Sequence, residues 1–391
     1  MKDQKPKIWL SSPHLGENEF KYVKEAFDTN WVAPVGPHIS RFEESLSLFA
    51  NNQPVAALTS GTAALHLALI LSGVGPGDYV ICQSLTFAAS ANPIRYLGAI
   101  PVFVDSEEET WNMCPRFLEE AIENCLKGQF KTGASESYSG KAKMPKAIIP
   151  VHLYGMPANM PEINKIAGKY GIPVIEDSAE ALGSTLNNQF CGSFGEMGVF
   201  SFNGNKIITT SGGGALTSKN PEFVQKAKFL ATQAREDAPH YEHKEIGYNY
   251  RLSNVSAAIG IGQVEVLPLR VSARRRNYDL YKENLKEISE IKFLPEPEGY
   301  YSNRWLTTVL IDGSQNTIDR EKIRLALDEE NIESRPIWKP MHLQPVFQNF
   351  PFVGGDVSAN IFRLGLCLPS GSNLENSHIE KVVENIKQLF H

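Results

Sequence analysis

Short apolar segments alternate with amphipathic segments along the first half of the chain. Five apolar runs, each bounded by glycine, proline or polar residues, predict buried strands at 55–58, 79–83, 100–104, 147–151 and 172–176. Helical patterns separate these runs, for example at 159–169. Buried strands that alternate with helices predict an α/β layer fold with a largely parallel sheet.

Two segments differ from this alternation. Residues 127–146 are small, polar and without periodicity, which predicts an exposed insertion. From Val255 to Leu285 a continuous helical pattern predicts one long helix that leads into a C-terminal α+β domain. The predicted units are therefore 1–254, an N-terminal segment with the large α/β domain, and 255–391, the bridging helix with the smaller domain.

Composition narrows the class of protein. The 391 residues are 42% hydrophobic and 21% charged, which is typical of a globular protein, and the net charge of −6 provides no basic field for nucleic acid. No apolar stretch approaches the roughly 18 residues of a membrane span, and no apolar region follows the charged N-terminus. The five scattered cysteines have no zinc spacing, so we expect free thiols, no metal site and a cytoplasmic location.

Several distinctive residues fall where predicted strands end. They are Gly61, Phe87, Asp177 and Ser201. In a parallel α/β sheet the ligand lies outside the carboxyl ends of the strands. This shared position predicts one site rather than several unrelated features.

Lys206 and Asp177 are the residues that point to a specific chemistry. Lys206 follows an apolar run and precedes three glycines, and Asp177 ends the predicted strand 29 positions earlier. Pyridoxal phosphate (PLP) needs a lysine for its Schiff base and a carboxylate to keep its ring nitrogen protonated. The alternatives are a solvated surface lysine and an aspartate that caps the next turn.

Residues 59–71 predict a turn that leads into a helix. The free N–H groups and positive dipole end of a helix suit a phosphate, which Ser60, Gly61 and Thr62 would then surround. An ordinary N-cap formed by Ser60 or Thr62 explains the same residues equally well.

Three stretches together resemble one family. They are SFNGNKIITTSGGG at 201–214, GYNYRLSN at 247–254 and PIWKPMH at 336–342. The chain is similar along nearly its whole length to the DegT/DnrJ/StrS sugar aminotransferases, and within them to the bacillosamine-type UDP-sugar 4-aminotransferases. This resemblance implies a fold-type-I PLP enzyme, with a mostly parallel seven-stranded sheet in the large domain.

The resemblance also implies roles for individual residues around the cofactor. Lys206 would carry PLP and then act as acid and base, Asp177 would face the pyridinium nitrogen, and Ser201 would join the phosphate site. Glu180, where many relatives have glutamine, would lie near the phenolic oxygen of the ring. Phe87 would stack on the ring, although a lone phenylalanine is more often a core residue.

Other implied residues concern the partner subunit and the substrate. Asn249 would reach the PLP phosphate of the neighbouring protomer, which implies a homodimer with shared active sites, although a solvated loop is the simpler interpretation of this segment. Trp31 would offer an apolar face to a deoxysugar. Lys339 and His342 would close over the sugar or the nucleotide.

The expected function is amino transfer from L-glutamate to C4 of a UDP-linked 4-keto-6-deoxy sugar, with neither nucleic acid nor membrane as a partner. The alternatives are a 3-keto sugar or a dTDP- or GDP-linked substrate, and a non-catalytic regulatory protein on the same scaffold. A sugar dehydratase of this family would lack Lys206. A cysteine desulfurase would need a cysteine on a mobile loop, and Cys367 lies in an apolar segment.

Overall fold

A computed structural model describes residues 6–313 and 318–390 of the chain. Its twelve α-helices in this part of the chain are α1 (Glu19–Asp28), α2 (Pro37–Ser47), α3 (Gly61–Leu71), α4 (Asn92–Tyr96), α5 (Pro115–Lys127), α6 (Met160–Tyr170), α7 (Pro221–Ala231), α8 (Asn254–Glu265), α9 (Leu267–Leu285), α10 (Arg320–Glu329), α11 (Val357–Leu364) and α12 (Asn376–Lys387).

The strands of the same residues are short. They are β1 (Val55–Leu58), β2 (Tyr79–Gln83), β3 (Ile100–Val104), β4 (Gln129–Thr132), β5 (Ser137–Ser139), β6 (Ala147–Ile149), β7 (Ile175–Asp177), β8 (Thr185–Leu186), β9 (Gln189–Phe190), β10 (Met197–Ser201), β11 (Gly214–Ser218), β12 (Ile291–Phe293), β13 (Tyr300–Tyr301), β14 (Thr307–Ile311), β15 (Arg335–Pro336), β16 (Pro351–Val353) and β17 (Gly365–Leu368).

The large domain is built on a mostly parallel central sheet. Strands β3, β2 and β6 pair in parallel, as do β7 and β10, while β11 is antiparallel to both β10 and β1. Parallel bridges from Ile148 to Val174 and from Val151 to Asp177 join the two halves. The resulting order, β3-β2-β6-β7-β10-β11-β1, confirms the expected seven-stranded fold-type-I sheet, which β16, β4 and β5 extend beyond β3.

Helices cover both faces of this sheet. Apolar side chains of α3 and α7 form one core layer with the strands, and side chains of α5 and α6 form another core on the opposite face. Because β1, β2 and β6 are buried along their whole length, their sequences are continuous apolar runs rather than alternating ones. The three-layer arrangement places the carboxyl ends of β7 and β10 at one exposed edge.

The C-terminal part has its own sheet and its own core. Strands β12, β14, β17 and β15 form an antiparallel sheet, on which α9, α10 and α12 pack through a separate apolar cluster. The boundary between 254 and 255 stays a prediction, since α8 packs on α1 and α2 while α9 packs on α12.

Two predicted segments differ in the structure. The pattern from Val255 to Leu285 is two helices, α8 and α9, with Val266 between them and Pro268 at the start of α9. A proline inside a continuous helix would lack an N–H donor and clash with the preceding turn, so the single long helix was a wrong prediction. Residues 127–146 contain the β4–β5 hairpin, which buries Phe130 and pairs through β4 with β16, so this segment is not a structureless insertion.

No helix in residues 6–313 and 318–390 is long and apolar enough to cross a membrane.

Candidate active site

A cavity of about 800 Å³ lies at the carboxyl edge of the central sheet, beside the start of α3 and the C-terminal part of the chain. Its volume falls in the range typical of pockets for cofactors and small molecules. It brings together most of the predicted cofactor residues, namely Ser60, Gly61, Thr62, Phe87, Asp177, Glu180, Ser201 and Lys206.

Lys206 lies on the loop between β10 and β11, and its side chain is only 11% exposed. The amine Nζ is 3.4 Å from Oε1 of Glu180 and 4.1 Å from the centre of the Trp305 ring. The backbone N–H of Lys206 donates to the carbonyl of Asn203 at 3.0 Å, which turns the loop back toward the cavity. Lys206 is therefore a buried lysine with fixed neighbours, which excludes the solvated surface lysine.

Glu180 is a buried carboxylate that faces the lysine. Its Oε2 accepts a hydrogen bond from the backbone N–H of Tyr154 at 2.6 Å. Burial raises the pKa of Glu180 from 4.5 to about 7; the Lys206 amine and the Tyr154 N–H oppose this rise, and the Asp177 carboxylate adds to it. Glu180 can therefore carry or release a proton near neutral pH.

Tyr154 presents its N–H from an unusual backbone conformation. Its φ of 52° lies in the left-handed region, which is uncommon for a residue with a large side chain. Such a conformation costs about 1–3 kcal/mol and persists where surrounding contacts hold it. Here the Tyr154 hydroxyl accepts from the backbone N–H of Trp338 at 3.0 Å, and its ring packs on Trp305 and Trp338.

Asp177 ends β7, as predicted, and is 5% exposed. Its Oδ2 accepts from the Ser90 hydroxyl at 2.6 Å, and its Oδ1 accepts from the Ala179 N–H at 3.2 Å. Within the described part of the chain it forms no ion pair with a lysine, arginine or histidine. A buried carboxylate that faces a cavity without a cationic partner fits the pyridinium nitrogen of PLP.

The start of α3 fits a phosphate. The Ser60 hydroxyl oxygen accepts from the Ala63 N–H at 3.0 Å, so the predicted N-cap is present. The N–H groups of Gly61 and Thr62 belong to the first turn and have no intrahelical acceptor. A Cβ on Gly61 would lie 3.0 Å from Cβ of Ser201, so glycine allows the helix end to approach this second hydroxyl. Cap and phosphate site are therefore compatible here.

Aromatic side chains form one wall of the cavity. Phe87 is 57% exposed, and its ring centre lies 5.4 Å from that of Trp338. An exposed ring at the cavity is not a core residue, so the simpler interpretation of Phe87 does not hold. Its exposed face is available for stacking on a flat ring.

Four predicted residues lie outside the cavity lining. Trp31 is 41% exposed after α1, Asn249 is exposed near the end of α7, and Lys339 is half-buried beyond Trp338. His342 is buried: its Nδ1 is 2.7 Å from the Ser84 hydroxyl, and its ring stacks on Phe352. Burial lowers the pKa of His342 to about 4, so the structure places a neutral, packed histidine where a substrate contact was expected.

The sequence did not indicate several residues around the cavity. Ser90 and Tyr154 bind the two carboxylates, and Trp305 and Glu333 are part of the lining. Arg335 also lines the cavity, as expected for the segment 335–342 that would close over the sugar or the nucleotide. The only available signal was the aromatic and basic composition near residue 335. Cys367 also lines the cavity, but it lies within β17 and burial raises its pKa to about 12, so it is not a mobile nucleophile.

A lysine and a buried aspartate at the carboxyl edge of a mostly parallel sheet, closed by a smaller α+β unit, define a fold-type-I PLP-dependent aminotransferase. Residues 13–387 match the model of the DegT/DnrJ/EryC1/StrS aminotransferase family, and the chain belongs to this family. It is thus an enzyme of the PLP-dependent sugar aminotransferase class.

Three relatives illustrate the match. EpsN of Bacillus subtilis (strain 168), named as a pyridoxal phosphate-dependent aminotransferase, is 49% identical over 98% of this chain and 96% of its own. GDP-perosamine synthase of Caulobacter vibrioides is 35% identical over 98% of this chain and 99% of its own. The solved structure of a DegT DnrJ EryC1 StrS aminotransferase from Brucella abortus has a TM-score of 0.86, with 29% identity and 95% of each chain covered.

Proposed function

We propose that the chain transfers an amino group from L-glutamate to C4 of a UDP-linked 2-acetamido-2,6-dideoxy-4-keto hexose. The main observation in support of amino transfer is that the Lys206 amine lies 3.4 Å from the buried Glu180 carboxylate, in the cavity that Asp177 also lines. A non-catalytic regulatory protein would have no need of this arrangement. We further propose that the enzyme is a cytoplasmic homodimer with shared active sites.

PLP, when bound, supplies an electron sink for the carbon from which a proton is removed. Asp177, held by Ser90 and the Ala179 N–H, would face the ring nitrogen. Thr62 and Ser201, with the start of α3, would hold the phosphate and so fix the orientation of the cofactor.

Lys206 is the group that moves the proton. As a general base, its Nζ takes a proton from the reacting carbon of the amino donor. As a general acid, it later delivers a proton to the sugar carbon that receives the amino group. Glu180 Oε1 lies within hydrogen-bond reach of Nζ and titrates near neutral pH, so it can hold the proton between these transfers.

The sugar and the nucleotide would lie toward the aromatic wall and the cavity mouth. Trp338 offers an apolar face for the 6-deoxy methyl group and the sugar ring, beside Phe87, which is assigned to the cofactor ring. Arg335 lines the same cavity, and its side chain is 68% exposed, which suits contact with a diphosphate. Trp31 and Lys339 stay proposals for the substrate side, since neither lines the cavity of a single protomer.

Two candidate substrates differ in their nucleotide. The UDP proposal rests on Glu180 and on the residues before Lys206 and around Trp338, which resemble the bacillosamine-type branch. A GDP-linked 4-keto sugar is the second candidate, because a relative named GDP-perosamine synthase is 35% identical over 98% of the chain.

The test is amination of a panel of UDP-, dTDP- and GDP-linked keto sugars with L-glutamate, with NMR of the products and Lys206→Ala protein as the blank. We expect the UDP-linked 4-keto sugar to have the highest kcat/KM and the product to carry its amine at C4. A tenfold preference for GDP or dTDP, or amination at C3, would contradict the assigned substrate. Absence of amination of every sugar, with glutamate still consumed, would contradict a sugar acceptor altogether.

A further inference from the structure

The amine of Lys206 has a second neighbour besides Glu180. The face of the Trp305 indole lies 4.1 Å from Nζ, well within the roughly 6 Å at which an aromatic ring attracts a cation. Trp305 is 2% exposed and belongs to the segment just before β14, on the C-terminal side of the cavity. The lysine is thus held between a carboxylate on one side and an aromatic face on the other.

One buried amide joins these two neighbours. The side-chain oxygen of Asn303 accepts from the Trp305 backbone N–H at 2.8 Å, and its side-chain nitrogen donates to the Glu180 carbonyl at 2.8 Å. Asn303 has no exposed surface. Asn303 therefore links the backbone segments that carry the indole and the carboxylate.

The indole edge holds the backbone next to the lysine. Nε1 of Trp305 donates to the carbonyl of Asn205 at 2.7 Å, and the Ser11 hydroxyl donates to the same carbonyl at 2.7 Å. Arg274, which is buried, fixes both donors: it donates to the Trp305 carbonyl at 2.5 Å and to the Ser11 hydroxyl at 2.9 Å. Face and edge of one indole thus restrain both the amine and the backbone of the lysine loop.

We infer that Trp305 is the positioning residue of Lys206, its face stabilising the protonated amine and its N–H fixing the preceding backbone. An aromatic face attracts the ammonium group but does not accept its proton, so it can hold Nζ between transfers without competing with Glu180. A further carboxylate in this place would add a third negative charge beside Asp177 and Glu180. The inference rests on the proposed role of Lys206.

The test uses tryptophan with one to four ring fluorines, incorporated at position 305 of the full-length chain. Fluorine withdraws electron density from the ring and weakens cation binding, while the volume and the N–H donor are nearly retained. PLP is added to cofactor-free protein, and the rate at which it becomes covalently bound is followed by absorbance across pH. Because only the unprotonated amine reacts, a weaker ring should move the midpoint of this pH profile to lower pH.

We expect a graded shift along the series that totals about one pH unit, a tenfold change in the ratio of protonated to free amine. Trp9 provides a matched control, since Lys7 Nζ lies 4.1 Å from its ring and neither residue lines the cavity. The same fluorinated series at Trp9 should leave the midpoint unchanged. The inference would be contradicted if the midpoint of the pH profile did not change on fluorination of Trp305, or if it shifted equally in the Trp305 and Trp9 series.

Two further measurements separate this inference from the proposed function. Borohydride reduction and peptide mapping locate the attached cofactor. Attachment to another lysine would contradict both the role of Lys206 and this inference. Attachment to Lys206, with a pH midpoint that does not change on fluorination of Trp305, would contradict this inference alone. Trp305→Phe, which keeps an aromatic face but loses the N–H, should retain more kcat than Trp305→Leu, with the same KM for glutamate in both. Equal kcat in the two variants would count against the role of the face.

Discussion

Replacement of Glu180 by glutamine tests the electrostatics of the site most directly. Glutamine has nearly the same shape, and its side-chain oxygen can still accept the Tyr154 N–H, which donates to Glu180 at 2.6 Å. What the change removes is the titration of a carboxyl group that is only 3% exposed. The difference between the two proteins should therefore depend on pH.

The magnitude follows from the pKa. Burial raises the pKa of Glu180 from 4.5 to about 7 in the folded chain, so the folded state holds the proton over a range where the unfolded chain has released it. The stability that this proton contributes is complete below pH 4.5 and is lost as the pH rises through 7. A shift of this size corresponds to about 3 kcal/mol of unfolding free energy.

The assay is urea-induced unfolding of cofactor-free protein at intervals from pH 5 to pH 8. Glu180→Gln should become more stable relative to the natural chain as pH rises, by about 2–3 kcal/mol over this range. Glu44→Gln, at an exposed position of α2, is the matched control for the chemistry of the substitution. If the stability of Glu180→Gln relative to the natural chain were constant with pH, or fell as pH rises, the conclusion that the buried Glu180 carboxyl holds a proton near neutral pH would be wrong.

Three further variants test the remaining roles. Lys206→Ala should abolish turnover and the covalent PLP adduct that borohydride reduction stabilises. An adduct on another lysine would contradict the assignment of Lys206 as the PLP lysine. Asp177→Asn should keep the fold, by circular dichroism, but lose roughly 10²–10⁴-fold in kcat, because an unpaired buried charge costs ~3–5 kcal/mol. A near-normal kcat would show that another group serves the ring nitrogen. A mixture of Asn249→Ala and Lys206→Ala proteins should regain activity, because a heterodimer places both substitutions in one active site and leaves the other site intact. If heterodimers form but activity does not return, Asn249 serves the active site of its own protomer.

The sequence determined the large sheet and the centre of the site. Strands β1, β2 and β3 begin and end where the apolar runs do, and α6 begins one residue after the predicted start. Asp177 and Lys206 lie in one cavity because the carboxyl ends of neighbouring parallel strands meet at one edge, a rule that needs no knowledge of side-chain packing. Periodicity therefore located these strands, and the family resemblance supplied the fold of the sheet and the roles of the two residues.

Local patterns were insufficient where long-range pairing decides the structure. The β4–β5 hairpin is polar and lacks a strand pattern, but it pairs with β16, more than 200 positions later in the chain. The helical pattern after Val255 continued through Pro268, although the backbone breaks there into α8 and α9. In the first case a distant partner supplies the hydrogen bonds, and in the second the missing N–H of proline prevents them.

The surroundings of the lysine were decided by tertiary structure alone. Trp305 lies 99 positions from Lys206, and no periodicity or spacing connects the two. Their contact exists because the C-terminal part of the chain packs against the carboxyl edge of the large sheet. Arg274 and Asn303 then hold the backbone of Trp305 in place. The same packing buries Glu180 and so raises its pKa, since the cost of charge depends on the volume of protein around a group and not on its sequence neighbours.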